Sequence, residues 1–392
     1  MSKIITEQKY SYNDVTIVPA VISHIRHRSE CNPYNNDNML PLFTAPMDSV
    51  VGLNNYELYE NENINTILPR TETIVARTTT VKNGYWAAFS LTEFENIFCD
   101  SNDIITEYTD KLHVLIDVAN GHMQCIFDLC KKAKEIYGSN IVLMVGNIAN
   151  PQTYEEYAKI GVDYVRCSIG SGNCCLTSSN TAIHYGIASL ISEIAQLKKH
   201  LLQFCGYKKV PNIVADGGIR NYSDVIKALA LGADYVMVGS VFSRMLESSA
   251  EKKIRHGKVE LKFPKERYKS IYRKNNQWYG DCTDEYIAEL STVLNKDISE
   301  IEKTRELGDI YAVIYGMASA YGQIAMNGSK THTSEGTRKV VTVDYTMHGW
   351  CENMIDYLRS AMSYCDSKTL DEFREKATLV VNTQNVYNSV NK

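Results

Sequence analysis

The sequence predicts an α/β fold of the TIM (β/α)8 barrel type. Eight short apolar runs alternate with helical patterns between Leu40 and Phe242, and eight such units favour a barrel. Several runs are apolar at consecutive positions, which is typical of parallel strands buried on both faces. The alternative is a doubly wound sheet, which favours a GxGxxG turn after its first strand. The first run here ends instead in Ala45-Pro46-Met47-Asp48, so we prefer the barrel.

The apolar runs define eight predicted strands. They are Leu40–Pro46, Asn65–Leu68, Tyr85–Phe89, His113–Val118, Ile141–Gly146, Asp163–Cys167, Asn212–Ala215 and Tyr235–Val238. Helical spacing of apolar residues predicts helices over Cys125–Ala133, Thr153–Lys159, Ile187–Leu202 and Ser223–Leu231. Polar residues and glycines follow the strands, and active sites of barrels lie at this end of the strands.

Composition limits the class of protein. The chain has 392 residues, a net charge of −5 and a hydrophobic fraction of 44%. We interpret all 392 residues as one barrel domain, and the acidic balance gives no support for nucleic-acid binding. No apolar run is long enough for a bilayer and the first residues lack a signal-peptide core, so we expect a cytoplasmic protein without a membrane partner. The eleven cysteines include no CxxC pair, so we expect reduced thiols and no zinc site.

One segment interrupts the alternation of strands and helices. From Glu251 to Gly308 the chain is rich in Lys, Arg, Tyr and Glu, and its second half, near Asp284–Glu306, has a helical pattern. We interpret residues 251–308 as an insertion after the eighth strand. A solvated excursion on the surface and an oligomer contact or regulatory patch are the two alternatives.

The loop from Ser168 to Ser178 carries the first candidate for chemistry. Its glycines allow a sharp turn and a close approach to a ligand, and Cys175 lies two residues before Thr177. A thiol with a hydroxyl in reach is suited to covalent catalysis. Taken alone, a purely structural loop explains the same residues.

Two further loops are suited to binding a phosphate. Asp216-Gly217-Gly218-Ile219 and Val238-Gly239-Ser240 follow the seventh and eighth predicted strands, where barrels often bind phosphate through backbone N–H groups. The Asp216 carboxylate is suited to ribose hydroxyls, although tight turns with a solvated aspartate are the alternative.

Three other positions are weaker candidates. Asp117, before Val118-Ala119-Asn120-Gly121, and Asn147 both end strands and are suited to a sugar or an amide, although Asp117 could simply cap a helix. Glu335 follows Ser334 beside Gly336, and a carboxylate there is suited to acid or base work.

Taken in order, these motifs resemble the IMP dehydrogenase/GMP reductase family. The matching stretches run from Tyr12-Asn13-Asp14-Val15 through Ala45-Pro46-Met47-Asp48, Asp117-Val118-Ala119-Asn120-Gly121, Val145-Gly146-Asn147, residues 169–177, Asp216-Gly217-Gly218-Ile219 and Val238-Gly239-Ser240 to Tyr315-Gly316-Met317 and Glu335-Gly336. The resemblance covers nearly the whole chain except the insertion.

The resemblance implies a barrel that acts on a purine nucleoside monophosphate, GMP or IMP, with a nicotinamide cofactor. It implies that Cys175 attacks C2 of the purine, with Thr177 and Glu335 as proton relay. The substrate residues that it implies are Asp216, Gly217, Gly218, Gly239, Ser240, Gly316, Met317 and Asn173. Those on the cofactor side are Asp117, Asn147 and Arg70. It also implies a monovalent cation, such as K+, bound by the backbone carbonyls of Gly170, Gly172 and Cys175. It further implies a homotetramer and a mobile flap over residues 317–340.

Within the family, the motifs favour a GMP reductase that uses NADPH. The chain leaves no room for the paired CBS modules of many dehydrogenases, and the segment between Met317 and Glu335 contains no Arg for a water-activating Arg-Tyr pair. Other features keep an IMP dehydrogenase with NAD open, with Lys330 or His332 as the base. Pro46 is closer to the dehydrogenase form. Asn173 replaces the usual Ser, Ile314 stands where dehydrogenases carry a phosphate-binding Tyr, and these departures leave the base and cofactor selectivity open. An inactive nucleotide-binding barrel is the third alternative.

Overall fold

The computed structural model describes residues 6–100, 105–256, 258–304, 307–331, 333–383, 386 and 388. The strands are β1 (Val15–Val18), β2 (Leu42–Thr44), β3 (Ile67–Leu68), β4 (Trp86–Phe89), β5 (Leu112–Asp117), β6 (Ile141–Ile148), β7 (Tyr164–Cys167), β8 (Asn212–Asp216), β9 (Tyr235–Val238), β10 (Glu251–His256), β11 (Val259–Lys262), β12 (Tyr268–Lys274), β13 (Gln277–Cys282), β14 (Asp309–Tyr315), β15 (Arg338–Thr342) and β16 (Thr378–Val381). The α-helices are α1 (Tyr56–Asn61), α2 (Ile74–Lys82), α3 (Leu91–Phe94), α4 (Gln124–Tyr137), α5 (Pro151–Ile160), α6 (Thr177–Thr181), α7 (Ile187–Phe204), α8 (Tyr222–Ala230), α9 (Asp284–Leu294), α10 (Ile298–Thr304), α11 (Ala320–Asn327), α12 (Met347–Tyr364) and α13 (Leu370–Lys376).

Strands β2 to β9 form the predicted barrel. They make one eight-stranded sheet in the order β2-β9-β8-β7-β6-β5-β4-β3, and all seven pairs of neighbouring strands in this order are parallel. A parallel bridge between Phe43 and Asn65 brings the two ends of the sheet together. Each of the eight predicted strands corresponds to one of these, with ends that differ by a few residues. The TIM-barrel prediction is confirmed.

The barrel interior is filled by large side chains rather than left open. Phe43, Trp86, Leu115, Met144 and Met237 form one buried cluster inside the strands. The outer faces of the strands pack against the surrounding helices in a second, larger core. Both faces of each strand are therefore apolar, which explains the consecutive apolar residues in the sequence.

The four predicted helices are present as α4, α5, α7 and α8. In α4 the buried residues Ile126, Leu129, Cys130 and Ala133 recur at helical spacing. Helix α5 begins at an Asn150 cap with Pro151 in its first turn. None of the helices in the described ranges is both long and apolar enough to cross a membrane.

The inserted segment folds into a packed subdomain. Strands β10 and β11 join β14 and β15 in an antiparallel sheet of order β11-β10-β14-β15, and β12 and β13 form a hairpin. Helices α9 and α10 confirm the helical pattern expected for its second half. The subdomain packs around a third buried cluster, in which Ile254, Trp278 and Leu290 of the insertion lie together with Cys174 of the loop after β7. Its sheet also uses strands on either side of the expected flap.

The expected flap, residues 317–340, contains helix α11 and the first residues of β15. His332, one of the two bases considered for a dehydrogenase, lies outside the described residues. The flap therefore begins and ends on two neighbouring strands of the subdomain's sheet.

Candidate active site

Two adjoining cavities lie at the carboxyl ends of the barrel strands. The smaller, of about 230 Å³, is called the substrate cavity here because the residues implied for the substrate line it. The larger, of about 450 Å³, is called the cofactor cavity. Cys175, Gly172 and Met317 line both cavities, so the candidate nucleophile lies where they meet.

The nucleophile loop follows β7 through an unusual backbone. Ser168 and Gly170 both have positive φ angles, of 140° and 75°. A Cβ atom on Gly170 would come within 2.6 Å of the Ser178 Cβ, so a side chain there would force the loop to move. Glycine at position 170 therefore allows the loop to fold back on the start of α6.

The three residues expected to be catalytic form a continuous hydrogen-bond chain. The Cys175 Sγ donates to Thr177 Oγ1 at 3.3 Å, and Thr177 Oγ1 donates to Glu335 Oε2 at 2.8 Å. The backbone reinforces this arrangement, because the Leu176 N–H donates to the Glu335 carbonyl at 2.8 Å and Cys175 forms an antiparallel bridge with Gly336. A thiol proton thus has a direct path to a carboxylate.

The neighbouring Cys174 has a different environment. Its side chain is buried in the core of the inserted subdomain, and burial raises the pKa of its thiol. Cys175 is half-buried and lines both cavities. Cys174 also lines the substrate cavity, but of the two only Cys175 lines the cofactor cavity as well. The role of Cys175 as nucleophile stays a prediction.

The residues implied for the substrate come together around one cavity. The substrate cavity is lined by all eight: Asn173, Asp216, Gly217, Gly218, Gly239, Ser240, Gly316 and Met317. The loop after β8 packs on the nucleophile loop, because the Gly218 N–H donates to the Ser171 carbonyl at 3.0 Å. The two loops expected to bind phosphate thus lie at one end of the same cavity as Cys175.

Sequence reasoning missed Arg166, which sits under both cavities. Its guanidinium donates to Asp117 Oδ1 at 2.6 Å and to Asp216 Oδ2 at 2.8 Å. Burial disfavours its charge, but the carboxylates of Asp216 and Asp117 outweigh that effect and raise the pKa of Arg166. The sequence feature that could have identified Arg166 is its place inside the otherwise largely apolar β7, where a charged side chain needs partners of opposite charge.

Asn147 belongs to the same cluster. Its Nδ2 donates to Asp216 Oδ2 at 2.7 Å, the oxygen that also accepts from Arg166. The residue expected on the cofactor side is therefore tied to the residue expected to hold the ribose. Asp117, Arg166 and Asp216 of this cluster line both cavities.

The cofactor cavity has polar groups that fit a polar ligand. Arg70, Asp117 and Asn147 all line it, as the resemblance implies. Three buried polar atoms on its walls have no hydrogen-bond partner among the described residues: Arg70 Nε, Ser168 Oγ and Ser171 Oγ. Because buried polar atoms are normally paired, these three fit the amide and hydroxyl groups of a nicotinamide nucleotide.

Arg77, a second arginine of the segment that follows Arg70, is held away from both cavities. Its side chain is 2% exposed and donates to Glu93, to the Ala88 carbonyl and to the Glu72 carbonyl. The guanidinium is therefore held between α2 and α3, and Arg77 lines neither cavity.

Two of the three carbonyls implied for a cation, those of Gly170 and Gly172, each accept one hydrogen bond. The Ser178 hydroxyl donates to the Gly170 carbonyl, and the Cys175 N–H donates to the Gly172 carbonyl. A carbonyl oxygen has two lone pairs, so both keep one for a ligand. The described residues contain no cluster of three His, Cys, Asp or Glu side chains that could hold a metal.

The comparisons with known proteins agree with this arrangement. Residues 91–277 match the family described as "IMP dehydrogenase / GMP reductase domain". The chain is 24% identical to a GMP reductase of Caenorhabditis elegans over 292 residues, which is 74% of this chain and 65% of that protein. It is 27% identical to a GMP reductase of Pediococcus pentosaceus over 63% of this chain and 75% of that protein.

A further relative carries the other activity of the family. The chain is 27% identical to the inosine-5'-monophosphate dehydrogenase of Methanocaldococcus jannaschii over 277 residues, which is 69% of this chain but only 46% of that protein. The matched segment thus spans about half of the dehydrogenase. The chain is therefore similar to the IMP dehydrogenase/GMP reductase family, whose domain model matches residues 91–277.

Proposed function

We propose that this protein is a GMP reductase, which converts GMP, NADPH and two protons into IMP, NADP+ and ammonium. The observation that carries the proposal is the Cys175–Thr177–Glu335 chain at the junction of the two cavities. Several relatives that bear the name GMP reductase support the choice within the family.

The chain's own residues account for the first half of the reaction. The Cys175 sulfur adds to C2 of the guanine while its proton passes through Thr177 to Glu335. Glu335 returns that proton through Thr177 to the amino group, which leaves as ammonia and leaves the purine joined to sulfur. The thiol proton therefore ends on the leaving group, and no oxidant or reductant is needed in this half.

The second half needs the cofactor, which supplies a hydride when it is bound. Arg70, Asp117 and Asn147 would hold its nicotinamide side in the cofactor cavity. The C–S bond to Cys175 then breaks, IMP is released, and the sulfur regains a proton. Met317, which lines both cavities, helps to exclude water from the purine.

Different residues of the substrate cavity hold the ribose, the phosphate and the base of the substrate. The Asp216 carboxylate, already positioned by Arg166, holds the ribose hydroxyls. Gly217, Gly218, Gly239 and Ser240 hold the phosphate through backbone groups, and Asn173 adds an amide at the same end. Gly316 and Met317 border the base.

A second candidate is an IMP dehydrogenase that oxidises IMP to XMP with NAD. The dehydrogenase among the relatives favours it, as does Pro46 on the wall of the substrate cavity. This reaction needs a group that activates water. Lys330 is the described candidate, whereas His332 lies outside the described residues.

Absorbance at 340 nm distinguishes the two reactions. With GMP and NADPH the reductase is expected to give falling absorbance and one ammonium ion for each NADPH consumed. With IMP and NAD the dehydrogenase would give rising absorbance and XMP instead. Binding of GMP with no change in either mixture would contradict both and favour an inactive nucleotide-binding barrel.

Two other properties implied by the resemblance belong to the proposal. We expect a monovalent cation at the carbonyls of Gly170, Gly172 and Cys175, so activity should be higher in K+ than in Li+ salts. We also expect a homotetramer, which light scattering coupled to gel filtration would detect as a mass of four chains of 44.3 kDa.

A further inference from the structure

Lys339 contacts a residue of the substrate-cavity wall, Asn173. Its Nζ donates to the Asn173 carbonyl at 2.6 Å and to Asn173 Oδ1 at 3.0 Å. Asn173 lines the substrate cavity beside Gly218. Lys339 is exposed and has three N–H donors, so one donor remains for a ligand.

The charged side chains around the substrate cavity make a further cation near the phosphate favourable. Among the described residues that line it, the charged side chains are the carboxylates of Asp117, Asp216 and Glu335 and the guanidinium of Arg166. Arg166 is already bound to two of the carboxylates. A nucleoside monophosphate would add further negative charge, which makes binding unfavourable unless a cation lies near the phosphate.

Neighbouring cations are committed to other partners. Arg338, the preceding residue on β15, stacks on Tyr321 with its guanidinium 5.0 Å from the ring centre. Arg220, after the Gly218 loop, donates to Asn13 and pairs with Asp224. Lys339, by contrast, contacts Asn173 of the cavity wall directly.

The inserted subdomain explains how Lys339 is held there. Lys339 pairs with Ile314 across the β14–β15 ladder, and β14 pairs in turn with β10 of the insertion. Ile314 itself lines the substrate cavity. The sheet therefore presents an apolar side chain to the cavity and a cation to its rim.

We propose that Lys339 recognises the 5'-phosphate of the substrate, together with the amide of Asn173 that it orients. The inference rests on the proposed function for the location of the phosphate. Because Asn173 Oδ1 accepts from Lys339, the two Nδ2 N–H groups of Asn173 are free to face the ligand. Lys339 is thus a specificity-determining residue that distinguishes a nucleotide from a nucleoside.

The test compares GMP with guanosine in binding measured by calorimetry. Lys339→Met is expected to raise the Kd for GMP about tenfold, as loss of a charge-assisted contact does, and to change the Kd for guanosine less than twofold. Lys339→Arg should retain most of the affinity for GMP. Lys262→Met, an exposed lysine on β11 of the same sheet, is the matched control and should bind both ligands as the wild type does.

Each outcome bears on the inference separately from the reaction. Equal losses for GMP and guanosine, or an unchanged Kd for GMP, would overturn the role of Lys339. Suppose that the wild type binds GMP more tightly than guanosine, that Lys339→Met removes this preference, and that NADPH is never oxidised. These results would contradict the proposed reaction and would support the role of Lys339. Wild-type protein that binds neither ligand would overturn both.

Discussion

At the scale of single residues, Glu335 reaches the nucleophile through one hydroxyl although 158 residues separate it from Thr177. If this carboxylate carries the proton, Glu335→Gln should lower kcat by about a hundredfold or more and change the KM for GMP little. Steady-state kinetics would show this, with Glu300→Gln on α10 as the control. A kcat equal to that of the wild type would contradict the relay.

Arg166 is expected to matter for stability as well as for the site. Arg166→Met would leave Asp117 and Asp216 buried without their cation, and breaking a buried pair in this way costs about 3–5 kcal/mol. Urea denaturation would measure the loss in the free energy of unfolding. Arg166→Lys keeps the charge and should lose less of the free energy of unfolding. An Arg166→Met variant as stable as the wild type would show that the cluster does not contribute to stability.

The residues of the site differ in how far sequence alone could predict them. Cys175, Thr177 and Asp216 lie beside glycines at strand ends, where a turn signal marks them. Glu335, beside Gly336, was a weaker candidate, and only the resemblance connected it with Cys175, because its loop is distant in sequence. Arg166 was missed because its partners, Asp117 and Asp216, come from β5 and β8, and no local pattern records contacts between strands.

At the scale of elements, an ion pair joins α2 to α3. Burial alone would raise the pKa of Glu93, but the hydrogen bonds and charge of Arg77 lower it to about 2. A carboxylate with a lowered pKa stabilises the fold above its unfolded pKa, and this contribution is lost as the pH falls towards 2. The shift from 4.5 corresponds to about 3 kcal/mol.

Glu93→Gln tests this contribution. The free energy of unfolding should fall by up to about 3 kcal/mol near pH 7, and the difference from the wild type should shrink as the pH falls from 4.5 towards 2. Urea titrations at a series of pH values would measure it. A difference that stays constant over this range would show that the charge of Glu93 contributes nothing.

The elements of the barrel could be predicted, whereas those of the insertion could be predicted only in part. Barrel strands such as β6 and β8 are buried on both faces, so their apolar runs stand out. Strand β12 has one buried residue, Tyr268, and its Lys269, Ser270, Tyr272 and Lys274 are exposed, so most of the strand faces solvent. Strand β15, mostly exposed, was missed because its partner β14 lies on the other side of the flap.

At the scale of the whole molecule, the insertion and the barrel share a core. Cys174 of the nucleophile loop and Leu246 after the barrel pack in the same cluster as Trp278 and Tyr286 of the insertion. The Trp278 Nε1 also donates to the Val343 carbonyl at 2.8 Å. The insertion therefore packs against the loop that carries Cys175.

A shared core predicts that the two parts unfold together. A variant that keeps Trp278 alone, with Trp86→Phe and Trp350→Phe, reports on the insertion by fluorescence, while circular dichroism reports on the whole chain. The two transitions in urea should coincide within error. An earlier transition for Trp278 would show that the insertion unfolds independently of the barrel.

The central claim is that Cys175, at the junction of the two cavities, forms a bond to the purine. The most direct test is the rate of NADPH oxidation with GMP in Cys175→Ala, compared with the wild type and with Cys174→Ala. We expect no detectable rate in Cys175→Ala although GMP still binds, and substantial activity in Cys174→Ala. A Cys175→Ala variant that oxidises NADPH at the wild-type rate would contradict covalent catalysis.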